Sequence, residues 1–219
     1  MFAHQGKYYN IPPRAVVPKP LQKPHPPLWG ACNQEDTAYI TGKAGFGCLV
    51  ITHRGTERAH KLIRIYKEAI KDAEPAGKFI HNHVAANTLA FCGEQREQAR
   101  ARGAQLLDWY RSMQRFREER NWQEVAAEDI PEDYRFHFEK GPSGGDDITA
   151  RDLVDRRRFP MGDPEDCIKF VEQFEAIGVE ELMFNFQLGP VSHPEVMHSL
   201  RLFGKHVIPA FQRTEHKAH

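Results

Sequence analysis

The chain has 219 residues, of which 40% are hydrophobic and 27% charged, and its thirty basic and thirty acidic residues cancel. That balance leaves no broad basic footprint for nucleic acid or an anionic membrane surface. No apolar run approaches the roughly 20 residues of a membrane helix, and the opening MFAHQGKYYN lacks the apolar core of a signal peptide, so a cytoplasmic protein is expected.

The first 27 residues read as an extended arm with turns, in which Tyr8, Tyr9 and Ile11 offer packing to a neighbour. Pro18, Pro20, Pro24, Pro26 and Pro27 exclude a helix there, because each fixes φ, removes a donor and pushes the preceding residue towards extended geometry. Residues 28–32, LWGAC, are short and apolar enough for a strand buried on both faces. Asn33, Gln34, Glu35, Asp36 and Thr37 follow as N-cap residue types, and a helix over about 35–43 ends at the glycines Gly45 and Gly47.

Residues 47–52 form the second predicted strand, and Gly55 or Thr56 caps a helix carrying Ala59, Leu62, Ile63, Tyr66 and Ile70 at helical spacing. The third strand is placed at 79–89 and a long charged helix at about 94–119. The pattern breaks down from Trp122 to Met161, where Gly141, Pro142, Gly144, Gly145, Asp146 and Asp147 suggest a loop excursion. Asp163 as N-cap with Pro164 at the first position restores order and starts a helix that stops at Gly178. Residues 181–186 are the fourth strand, and a last helix spans about 194–207.

Four strands alternating with helices predict parallel α/β architecture. A (β/α)₈ barrel takes roughly 250 residues and eight strands. The expectation is therefore a single partial barrel domain over 1–219, about four parallel β/α units, with 1–27 as an extended arm and about 120–161 as an irregular insertion.

In such folds ligands lie at the carboxyl ends of the strands, and a helix N-terminus there presents free N–H groups to an anion. The turn at 33–37 is therefore the first candidate site, with the Thr37 hydroxyl and the backbone N–H groups as donors to a phosphate. Glu35 and Asp36 suit the helix dipole but repel an anion, and a capped helix without ligand is the competing reading. His81 and His83 alternate along a strand and so share a face, which invites a metal with His53 as a third ligand; metal-free lumen-facing side chains are the plainer reading. The chain has no HExxH, Walker A loop, GxGxxG or GxSxG. Asp146 and Asp147 invite a metal loop but read better as a solvated turn. Arg156, Arg157 and Arg158 could reach an anionic ligand as part of a lid, but such a run more often forms a solvated face. Cys32, Cys48, Cys92 and Cys167 lie far apart without CxxC spacing, so reduced thiols are expected.

Two stretches, 6–32 and 162–211, resemble the luciferase-like flavin-dependent monooxygenases, the first their mid-region and the second their C-terminal segment. The resemblance implies a (β/α)₈ barrel of which this chain supplies strands five to eight. It also implies reduced FMN, or a deazaflavin in some relatives, bound at the barrel's C-terminal mouth. There a flavin peroxide oxidises a small organic substrate. Carried across, Ala31, Cys32, Asn33, Gln34, Glu35, Asp36 and Thr37 form the turn that touches the flavin and its phosphate. The family's first four strands, with a catalytic histidine and phosphate-binding arginines, have no counterpart in these residues. The expected partners are thus the flavin, the substrate, and either a second copy or an N-terminal half; the alternative is a non-catalytic assembly module that pairs through exposed half-barrel edges.

Overall fold

The computed structural model describes residues 1–51, 55–122 and 148–212, with the backbone alone over 114–122. Thr52, His53 and the glycine-rich stretch holding Asp146 and Asp147 lie outside the described residues.

The arm opens with an antiparallel hairpin, β1 (Phe2–Gln5) and β2 (Asn10–Arg14). It is nearly all exposed: Tyr8 is 80% and Tyr9 73% accessible. Then come β3 (Trp29–Cys32), β4 (Gly47–Ile51), β5 (Val84–Leu89) and β8 (Glu181–Asn185), which form one parallel sheet in that order. The register sets Ala31 beside Leu49, Leu49 beside Ala85, and Ala85 beside Glu181. A short parallel pair, β6 (Phe91–Cys92) and β7 (Met161–Gly162), stands just past the end of β5.

The third strand starts at Val84 rather than at residue 79, because 79–83 enter it as extended chain held by other partners. His81 N–H donates to Gly45 O (2.8 Å), and the Tyr66 hydroxyl donates to His81 O (3.2 Å). Nor is the first strand buried on both faces. Cys32 is fully buried, whereas Ala31 is exposed and Trp29 is 39% accessible, as an edge strand with one covered face requires.

The helices are α1 (Glu35–Lys43), α2 (Thr56–Ala69), α3 (Arg96–Trp122), α4 (Ala150–Asp155), α5 (Pro164–Glu175) and α6 (His193–Leu202). After α6 the chain continues through a π-helical turn at Phe203–Val207 and a 3₁₀ turn at Ile208–Phe211, so the last helix is longer and less regular than its sequence pattern suggests. Helix α4, absent from the sequence expectation, sits within the predicted excursion. Thr149 caps it in a reciprocal box with Asp152, whose spacing is the only local signal. Helix α5 begins as its sequence dictates: the Asp163 carboxylate accepts from the Asp166 N–H (2.9 Å), with Pro164 behind it.

Helices α1, α2 and α5 cover the same face of the sheet. Their Ala38, Leu62, Ile63, Tyr66, Phe170 and Phe174 pack onto Cys32, Cys48, Val50, Val84 and Ala86. Each large side chain buried there contributes roughly 1.5–3 kcal/mol. The other face keeps Ala31, Leu49, Ile51, Asn87, Met183 and Asn185 exposed or half-buried. A second core joins α3, α4, β6, β7 and α6 through Leu106, Leu107, Val154, Met161 and Val196. Gly30 lets α1 approach β3, since a Cβ there would lie 2.2 Å from Thr41 Oγ1.

Candidate functional site

Because the four strands run parallel, Cys32, Ile51, Leu89 and Asn185 end at one rim. The 33–37 turn leaves that rim directly. Gln34 takes the N-cap position of α1 with extended backbone (φ −123°, ψ 158°), yet its side chain makes no capping bond. The first-turn N–H groups of α1 are thus left without a side-chain cap, the arrangement that suits an anion.

The Gln34 side chain is occupied elsewhere. Arg58, in the first turn of α2, donates through one Nη2 to Asn33 O (3.0 Å) and Gln34 Oε1 (2.9 Å). Its Nε is buried with no hydrogen-bond partner among the described residues. Lys61, one turn on, pairs with Glu35 at 2.6 Å and draws that carboxylate towards α2. The sequence reading passed over both cations. Their signal was topological: the first turn of the helix after the next strand stands at the same rim.

The predicted contact residues divide by face. Ala31 lies on the uncovered side of the sheet, while Cys32 is fully buried on the helix side, its thiol 3.4 Å from Thr41 Oγ1. With the whole residue buried, Cys32 offers no surface to a ligand at the rim. The Cys48 thiol hydrogen-bonds the Cys32 sulfur and draws it down to about 7 against the opposing effect of burial. The same bond, with burial, holds Cys48 well above the usual thiol range. Thr37 is half-buried, and its carbonyl receives the Cys32 thiol at 3.9 Å. All four cysteines are free and buried.

His81 and His83 lie at the opposite end of the sheet, before β5 begins. Their rings stack 5.7 Å apart, and both stand edge-on to Trp29. Burial and the neighbouring His83 lower the pKa of His81. His83 reaches Glu180 (3.3 Å) and Glu181 (3.5 Å). No group of three His, Cys, Asp or Glu side chains among the described residues is gathered for a metal. Of the arginine run, Arg156 is exposed, while the half-exposed Arg157 turns its Nε to within 3.4 Å of the buried Asp166.

Residues 1–181 match the luciferase-like monooxygenase family, and the chain belongs to it. It is 26% identical over 216 residues to the uncharacterized protein y4vJ of Sinorhizobium fredii, covering 98% of this chain and 58% of that protein. It is 22% identical over 223 residues to the oxygenase component of the flavin-dependent trigonelline monooxygenase of Acinetobacter baylyi, covering 98% and 56%. The fold matches that of the oxygenating constituent of 3,6-diketocamphane monooxygenase of Pseudomonas putida, in complex with FMN: TM-score 0.62 at 18% identity, covering 95% of this chain and 57% of the other. The chain thus spans somewhat over half the length of the curated relatives it matches. Among the described residues no helix is long and apolar enough to cross a membrane.

Proposed function

We propose that this chain is the C-terminal, flavin-phosphate-binding half of a luciferase-like monooxygenase barrel, acting once a second half closes the site. The observation that carries this reading is a sheet wound in sequence order with its helices on one face, and an uncapped helix N-terminus at its C-terminal rim. A doubly wound sheet would reverse its strand order and place helices on both faces.

The residues at the rim fit a phosphomonoester. Backbone N–H groups of residues 35–37 and the Thr37 hydroxyl would donate to it, and Arg58 would bring a cation with an unused donor. Lys61 offsets the acid at Glu35, which the sequence alone left facing the anion. Bound there, FMN would supply the redox chemistry that activates oxygen for a small organic substrate. The protein's own share is different. The turn anchors the phosphate, while Ala31, Leu49, Ile51 and Met183 offer apolar surface on the uncovered face that would exclude water from the isoalloxazine.

Equilibrium titration of the full chain with FMN, riboflavin and a deazaflavin tests this. FMN binding at least about tenfold tighter than riboflavin, worth ~1.4 kcal/mol, is expected from a phosphate anchor. Equal affinities would remove the phosphate site, and preference for the deazaflavin would reassign the cofactor.

A further inference from the structure

The parallel sheet ends abruptly on both sides. Among the described residues β3 pairs only with β4, and β8 only with β5. Each end carries apolar surface. Beside β3, Ile40 of α1 is 63% exposed. It lies two residues, more than half a turn of helix, from Gly42, which meets Ala69 of α2, so Ile40 occupies the flank turned away from α2. At the β8 end, a groove of about 750 Å³ is lined by Val171 of α5, Leu182 and Phe184 of β8, and Phe203, Val207 and Phe211 of the turns that follow α6. Ile208, also on its lining, is 51% exposed.

We propose that two copies of this chain close into one eight-stranded barrel, β8 of each pairing in parallel with β3 of the other. The inference rests on the half-barrel reading above. Four strands per copy make the eight at which this architecture closes, and closure removes both open edges at once. Going round the ring, α6 with its tail stands over the β8–β3 seam, and the next helix is α1 of the partner. Ile208 and Phe211 therefore meet the partner's Ile40. Charge agrees with this pairing. The arm before β3 carries Lys7, Arg14, Lys19 and Lys23 and no acid. Parallel pairing brings the partner's arm to the amino-terminal end of β8, where Glu180 and Glu181 border the groove and, already bonded to Lys67 and His83, would take the arm's cations as additional partners. Two-fold symmetry repeats the seam, so one substitution strikes it twice.

Sedimentation velocity and light scattering on the full chain test the proposal. The wild type is expected at twice its 25.2 kDa mass. Ile40→Glu and Ile208→Glu, both at exposed positions, are each expected to shift it to the single-chain mass with an unchanged far-ultraviolet dichroism spectrum. A wild type of single-chain mass, an open-ended series of larger species, or a dimer indifferent to both substitutions overturns it. A dimer that binds no flavin keeps the assembly and removes the flavin assignment, while FMN binding by a monomer does the reverse.

Discussion

Arg100 grips Asp166 with two parallel bonds, Nε to Oδ2 at 2.8 Å and Nη2 to Oδ1 at 2.7 Å, and so ties α3 to the first turn of α5. The Asp166 side chain is only 4% exposed, with Arg96 and Arg157 each within 3.5 Å. Burial raises its pKa, but the Arg100 hydrogen bonds and the charges of Arg100, Arg96 and Arg157 more than offset that and leave it lowered.

Asp166→Asn takes its bidentate carboxylate from the mostly buried Arg100, while Arg96 keeps Asp163 and Glu165. Breaking a buried pair this way costs about 3–5 kcal/mol, and denaturant unfolding should show a loss of that order. The sign with pH follows from the lowered pKa. The carboxylate's contribution is complete above the unfolded value of about 3.9 and disappears as pH falls through the lower folded value. The wild type should therefore lose stability more steeply below about pH 4 than Asp166→Asn does; parallel acid limbs would contradict the assignment.

Gly30→Ala places a methyl 2.2 Å from Thr41 Oγ1 and 2.8 Å from its Cγ2, inside a packed strand–helix contact. Overpacking of this kind costs about 1–3 kcal/mol. Adding Thr41→Ala should recover part of the loss in thermal unfolding, because the Cβ of residue 41 remains close at 3.0 Å. No recovery at all would mean that the clash lies elsewhere.

Ser199→Ala removes the acceptor of the Cys92 N–H, a 2.6 Å bond between two fully buried residues that joins β6 to α6. An unsatisfied buried donor costs about 1–3 kcal/mol. Chemical denaturation should report that loss, and Ser199→Thr should retain more stability than Ser199→Ala.

Arg58→Gln tests the rim itself. Its bonds to Asn33 and Gln34 are exposed, so stability should fall by less than about 1 kcal/mol. FMN affinity should drop about tenfold, equivalent to ~1.4 kcal/mol, while riboflavin affinity stays level. An equal loss for both flavins would assign Arg58 to shaping the turn rather than to meeting the phosphate.

Legibility in the sequence followed the strength of local signals. Helix α1 spans the residues its acids and closing glycines indicate, and α5 starts where Asp163 and Pro164 place it. Strand β5 starts later than its pattern suggests, because histidines alternating through 79–83 imitate a strand. The His81 backbone instead bonds to Gly45 and the Tyr66 hydroxyl, and only the His83 carbonyl meets β4, at the Cys48 N–H. Helix α4 was hidden in a glycine-rich neighbourhood, its cap spacing too short a pattern to stand out. At the rim, the 33–37 turn was readable because a polar N-cap run after an apolar strand is local. Arg58 and Lys61 were not, since only the fold brings a helix 24 to 26 residues away onto that turn.

The central claim is that the flavin's phosphate sits on the turn after β3, at the carboxyl ends of the strands. Amide hydrogen exchange of the full chain with and without saturating FMN tests this most directly. The account predicts slowed exchange over 33–37 and at the start of α2. Protection confined to the opposite end, around His81, His83 and Glu180, would contradict it.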